Sequence, residues 1–184
     1  NTAIEAEKIA ADGNIYRIAL TENGTFDLST LPGDFDVKKT GSWTGGTVSG
    51  TTLTVNKDAA FVTYTYDLGR SDKKAALFTL LIAGQERAPV PINETTFPDE
   101  SFRHGIKWNL DRNHDEQLTT DEIVTVRKLD VKSDLAIRPN VDGIEDLTGI
   151  EYFTELESLT CMGYQLTSLD LSKNTRLKQL NANE

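Results

Sequence analysis

The sequence predicts a mainly β protein in two parts, an antiparallel β-meander sheet or small barrel followed by a helical cap and a short solenoid of leucine-bearing repeats. Three observations lead there. Apolar residues alternate every second position between Asn14 and Ala83; two prolines, Pro89 and Pro91, then break that period; and near the end leucines return at a fixed spacing of 21 residues. Period two marks half-buried strands, whereas a longer exact repeat marks stacked units.

Tyr16, Ile18 and Leu20 open the alternation on one face. The turn Thr21-Glu22-Asn23-Gly24 supplies an Asn-Gly pair tolerant of positive φ, and Phe26 and Leu28 are expected to return as its hairpin partner. The same grammar continues through Val37 to Trp43, Thr47 to Ser49, Thr51 to Val55 across Ser49-Gly50, Ala60 to Leu68 and Ala75 to Ile82. Strands so close together are expected to join as hairpins and meanders, giving an antiparallel domain over residues 1–90. A short helix is expected ahead of them, from Thr2 to Ala11.

The segment Ala88 to Asn93 reads as a linker, since its prolines interrupt both periodicities. A cap follows over residues 91–125. Pro98 suits a first helical turn, and Asp99 and Glu100 suit the positive end of the helix dipole. Phe102 and Ile106, four apart, make the buried stripe, the polar run from Asn109 to Thr120 ends the helix, and Asp121 to Val124 start a second short helical or extended segment.

The repeats occupy residues 126–184. Leu156, Leu159 and Cys161 are matched by Leu177, Leu180 and Ala182, and Ile144 and Leu147 by Leu166 and Leu169, with Val126, Leu129 and Val131 as a less regular first rung. Stacked units would set these side chains into one ladder while the intervening residues face solvent. About three repeats are needed for such a stack, and the chain stops inside a rung at Glu184, so further coils or a closing element are expected beyond it.

The phrases D-L-T-G-I-E-Y-F-T-E-L (Asp146 to Leu156) and Q-L-T-S-L-D-L-S-K-N-T-R-L (Gln165 to Leu177) make residues 97–184 resemble the cap and first repeats of bacterial cell-surface leucine-rich repeat proteins of the internalin type. That resemblance implies a leucine-rich repeat solenoid behind an EF-hand-like cap, adhesion or protein binding without catalysis, and an extracellular or cell-surface location. One departure is Tyr164, which stands where such repeats usually place Asn. More loosely, N-G-T-F-D-L and S-G-T-T-L-T-V are similar to lipocalin-like sheets of bacterial lipoproteins, so a lipid anchor upstream of residue 1 is one expected mode of attachment.

The run from Asp111 to Glu122 has the spacing of a calcium loop: Asp111, Asn113 and Asp115 at positions one, three and five, the Gln117 carbonyl, Thr119 directly or through water, and Glu122 at twelve. Leu118 would be its inward apolar anchor. Position six is Glu116 instead of glycine, and a side chain forced left-handed costs about 1–2 kcal/mol. Two expectations stand: a relic whose acids are simply solvated, or a weak structural calcium site with a dissociation constant of roughly 10⁻⁴ to 10⁻³ M. No cofactor is required.

Alternation along the rungs directs Ser158, Thr160 and Met162 of one coil, and Gln179, Asn181 and Asn183 of the next, toward the exposed face, making them the ligand-contact candidates. Cys161 falls on a ladder position and reads as a small buried hydrophobe. His104 and His114 lack a partnered nucleophile in the sequence, and G-x-S-x-G, Walker and H-E-x-x-H motifs are absent from it, so no catalytic residue is assigned. Trp43, Tyr64 and Tyr66 could stack on a sugar, but aromatics at period two read as sheet core.

Charge narrows the partners. The 184 residues carry a net charge of −10, with 9 Lys and Arg against 11 Asp and Glu up to Val90 and 10 against 18 after it. Without clustered cations there is no groove for nucleic acid, and no apolar run approaches the roughly 18 residues of a membrane span. The expectation is a non-enzymatic binding protein whose partner is a protein or surface glycan. A carrier of a small apolar ligand in the first domain is the alternative, and a polysaccharide enzyme a third possibility with no constellation to support it.

Overall fold

The computed structural model describes residues 7–8, 14–71, 75–131, 143–161 and 166–182. The chain forms two compact units, Asn1–Arg87 and Ala88–Glu184. Among the described residues it is mainly β with few helices.

In the first unit the strands are β1 (Glu7–Lys8), β2 (Ile15–Ile18), β3 (Thr25–Asp27), β4 (Thr40–Thr44), β5 (Gly46–Ser49), β6 (Thr52–Val55), β7 (Phe61–Asp67) and β8 (Ala75–Ile82). They build an open five-stranded sheet, β1-β2-β8-β7-β4, and a three-stranded sheet, β3-β6-β5. No closed barrel forms among the described residues. The short helix expected from Thr2 to Ala11 lies mostly outside the described residues, and within it Glu7 and Lys8 pair as a strand with Arg17 and Tyr16.

Two further expectations are corrected. The turn at Thr21 is formed, with Gly24 N–H donating to the Thr21 carbonyl at 2.9 Å. However, Phe26 does not return against β2; β3 pairs with β6, placing Phe26 opposite Leu53. The meander is also not wholly antiparallel, because β2 runs parallel to β8 with Tyr16 beside Leu80. Five intervening strands supply the long connection that a parallel pair requires.

The alternation decides which face is dry. Register sets Val62 opposite Leu80 and Tyr64 opposite Phe78, and that face joins Ile18, Phe26, Leu28 and Leu53 in one core. Tyr64 is buried, stacked on Trp43 at 4.5 Å and on Phe78 at 5.4 Å. Trp43 reaches it through a bulge in β4, between Gly41 and Thr44, where Ser42 takes a φ of +50°. The stacked rings pack against the same core that holds Phe26 and Leu53 of the smaller sheet.

The second unit contains β9 (Val90–Pro91), α1 (Glu100–Asn109), β10 (Gln117–Leu118), α2 (Thr120–Thr125), β11 (Lys128–Asp130), β12 (Ser158–Thr160) and β13 (Gln179–Asn181). The expected linker is partly a strand, since Val90 pairs with Leu118 and Ile92 N–H donates to the Glu116 carbonyl at 2.9 Å. Asp99 caps α1 by accepting from Phe102 N–H at 2.8 Å. Its second oxygen accepts from Glu145 N–H at 2.9 Å, tying the helix start to the first coil.

The last three strands pair in parallel, β11-β12-β13, with Leu129, Leu159 and Leu180 in one register. A separate parallel bridge joins Asp146 to Ser168. Phe102, Ile106, Leu118 and Ile123 share a single core with Leu129, Leu147, Leu156 and Leu159. Helices and rungs thus bury each other, and each fully buried Leu or Phe contributes about 1.5–3 kcal/mol.

Candidate functional site

Parallel pairing fixes where the rung side chains go. Leu159 is buried, so Ser158 and Thr160 stand on the opposite, outward face of β12. Register brings Gln179 beside Ser158 and Asn181 beside Thr160, and the Asn181 amide lies 3.5 Å from the Thr160 hydroxyl as donor. The structure therefore brings four of the six contact candidates together; Met162 and Asn183 lie outside the described residues. Two residues missed in the sequence complete the face: Lys128 aligns with Ser158 and Asp130 with Thr160. Extending the alternation to the rung at Leu129 would have found them.

Beside this face runs a row of charges. Arg127, Glu157 and Lys178 occupy successive rungs immediately before the strands, with Glu157 oxygens 3.5 Å from Arg127 and 2.9 Å from Lys178. Glu155 is buried between Arg127 at 3.4 Å and Arg176 at 3.2 Å. Burial pushes its carboxyl above the usual glutamate range, while the two guanidiniums pull it back. These pairs had a signal in the sequence, because 155 and 176, and 157 and 178, are each one repeat apart.

Asn174 is a further residue that the leucine pattern alone does not single out. Its side-chain amide donates to the Ile150 carbonyl at 2.9 Å and the Phe153 carbonyl at 3.0 Å, clamping one coil to the previous one. The spacing Leu166-x-x-Leu169-x-Leu171-x-x-Asn174 carried that information. Between the same coils lies a cleft of about 360 Å³, lined in part by Asp146, Thr148, Ser168, Asp170 and Lys173.

The twelve-residue loop closes on itself. Asp111 is buried, and its two oxygens accept from Asp115 N–H at 3.2 Å and Glu116 N–H at 2.9 Å. Glu122, also buried, accepts from Arg112 N–H at 2.7 Å with one oxygen and from Thr119 N–H at 2.9 Å with the other. Asn113 accepts from Asp115 N–H at 3.2 Å, and Asp115 from Gln117 N–H at 2.9 Å. Glu116 takes the left-handed φ of +61° that its position demands, with Lys107 Nζ 2.6 Å from its carboxylate. Leu118 is fully buried. Among the described residues no group of three or more His, Cys, Asp or Glu is placed to hold a metal ion.

The remaining candidates are structural. Cys161 is buried and burial pushes its thiol up, which disfavours a nucleophilic thiolate. His104 Nε2 accepts from Trp108 Nε1 at 3.0 Å on the surface of α1. No helix among the described residues is long and apolar enough to cross a membrane.

No protein-family model matches the chain. Internalin J of Listeria monocytogenes serotype 4b (strain F2365) is 30% identical to it over 111 residues, which is 60% of this chain and 11% of that protein. The chain thus spans about a tenth of the length of this curated relative. A crystal structure of an internalin (inlF) from Listeria monocytogenes str. 4b F2365 matches 53% of this chain and 27% of its own, at 30% identity and a TM-score of 0.42. Over about half its length, the chain has weak homology to internalins.

Proposed function

We propose that this chain is a non-catalytic binding protein, secreted or held at a cell surface, whose stacked rungs form a leucine-rich repeat solenoid that presents a face for protein contact. The observation that carries this reading is the parallel register of β11, β12 and β13, which buries Leu129 and Leu159 and sets Ser158, Thr160, Gln179 and Asn181 outward in aligned rows. A row of neutral hydrogen-bonding side chains on a backbone fixed by its neighbours contacts a partner with little ordering cost. The weak homology to internalins supports the same class of function.

In this reading α1, α2 and the loop between them form the cap that shields the first rung, and the loop is an EF-hand-like turn that needs no cofactor. Calcium would add only weak structural support. Surface plasmon resonance against extracellular proteins and surface glycans tests the proposal. Stoichiometric, saturable binding without turnover is expected, weakened at least about tenfold by Thr160→Arg at the centre of the face. A substrate that is hydrolysed with saturable kinetics, and spared when one carboxylate is replaced, would overturn it.

A further inference from the structure

The cleft between the coil that carries Asp146 and the coil that carries Ser168 has two walls tied to each other. Asp146 and Ser168 pair as a parallel bridge, and the Asn174 amide clamps the second coil to the Ile150 and Phe153 carbonyls of the first. Its width is therefore set before any ligand arrives. At about 360 Å³ it falls at the small end of ligand clefts, which run from roughly 300 to 1,000 Å³. Leu147, Ile150 and Leu169 supply an apolar lining, and polar groups converge on it from both walls.

The carboxylates are aimed by their own turns. Asp146 accepts from the Thr148 N–H and hydroxyl at 2.8 and 2.7 Å through one oxygen, and Glu151 accepts from Gly149 N–H at 2.7 Å. The second oxygen of each has no hydrogen-bond partner among the described residues. On the facing wall, the Ser172 N–H and hydroxyl, and after them Lys173, hold the Asp170 carboxyl below the usual range. Glu151 and Lys173 carry opposite charges on the two walls, yet they form no ion pair with each other. A carboxylate and an ammonium held apart in this way suit a guest that donates to one and accepts from the other, as a hydroxyl does. An anion is opposed by Asp146, Glu151 and Asp170 together. A metal ion meets the Lys173 ammonium, and among the described residues no group of three or more His, Cys, Asp or Glu is placed to hold one.

We propose that this cleft binds one neutral pyranose ring of a glycan, with sugar hydroxyls bridging Glu151 and Lys173 and a further hydroxyl donating to the spare oxygen of Asp146. Each of these hydrogen bonds has an ionised partner, which makes it stronger than a neutral one. The C–H face of the ring lies on Leu169. The cleft shares no residue with the outward rows of the proposed function and does not depend on them.

The full chain, labelled with ¹⁵N, is titrated with the methyl glycosides of glucose, galactose and mannose and with N-acetylglucosamine, and its amide shifts are followed by NMR. Glucosamine, glucuronate and calcium are the charged comparisons. At least one neutral sugar is expected to shift the amides of residues 146–151 and 168–173 saturably, with a millimolar dissociation constant. Lys173→Met and Glu151→Gln should each weaken that binding about tenfold, the loss of one hydrogen bond to a charged group, while leaving the circular dichroism spectrum unchanged. No saturable shift from any neutral sugar, shifts that map elsewhere, a response to glucosamine or calcium alone, or indifference to both substitutions overturns the proposal. Thr160→Arg should leave sugar binding intact, and Lys173→Met should leave protein binding at the outward rows intact, so failure here and failure of the proposed function are separately visible.

Discussion

Asn174 shows how one side chain holds two coils. It is buried, and its amide is the donor for two carbonyls that lie in the preceding coil, at Ile150 and Phe153. Asn174→Ala removes both bonds; each carbonyl keeps a backbone donor, Phe153 N–H for Ile150 and Leu156 N–H for Phe153, so the cost is that of two hydrogen bonds, about 0.5–1.5 kcal/mol each. Urea denaturation should show the loss as a lower midpoint. Hydrogen exchange should place it, with faster exchange at Lys178 and Gln179, whose N–H groups both donate to the Glu157 carbonyl across the same joint. Residue-scale chemistry of this kind is legible where it follows the period, as the spacing around Asn174 does. It is illegible where two distant residues simply meet. Gly149 is such a case: its φ is +105° and a Cβ there would land on the ring of Phe97, which nothing in the local sequence discloses.

At the scale of elements, the twelve-residue loop and the charged row each join two pieces of secondary structure and respond to solution conditions. In the loop, the buried carboxylate of Asp111 accepts two backbone N–H groups, from Asp115 and Glu116. Asp111→Ala should therefore lower stability by about 1–3 kcal/mol even with chelator present, measured by thermal melts in EDTA. Calcium at millimolar concentration should raise the melting temperature of the unaltered chain slightly and that of the variant not at all; an unchanged melt of the unaltered chain would leave the loop as a hydrogen-bonded turn alone. In the charged row, the sign of the pH effect follows from burial. Glu155 has a folded-state pKa above its unfolded value. The folded chain binds that proton more tightly, so protonated Glu155 stabilises the fold below the unfolded pKa, and the stabilisation is lost as pH rises through the folded one. Relative to Glu155→Gln, which cannot titrate, the unaltered chain should lose stability as pH climbs through the range just above ordinary glutamate values, read as diverging urea midpoints. Loop spacing was fully visible in the sequence, including the strained place of Glu116. The charge row was visible only to a reader who applied the leucine period to charged positions as well.

At the scale of the whole molecule, mainly β character was legible because alternation and repeat both act within short windows, while strand partners were not. β2 and β8 are some 60 residues apart and pair in parallel, and β3 leaves its hairpin neighbour for β6; a period of two says which face is buried and nothing about which strand lies alongside. The cores, however, divide cleanly. Ile18, Leu53, Tyr64 and Leu80 belong to one cluster and Phe102, Ile106, Leu156 and Leu159 to another, and neither cluster draws a residue from the other unit. A unit with its own core is expected to unfold as its own cooperative step. Tyr64→Ala, which removes a ring stacked on both sides, should lower one thermal transition by several degrees, and Leu156→Ala should lower the other, each core truncation costing about 2–5 kcal/mol. Calorimetry of the two variants and their combination distinguishes the cases. Additive shifts, each confined to its own transition, follow from two separate cores, whereas a single transition moved by both substitutions would mean that the two units unfold as one cooperative step.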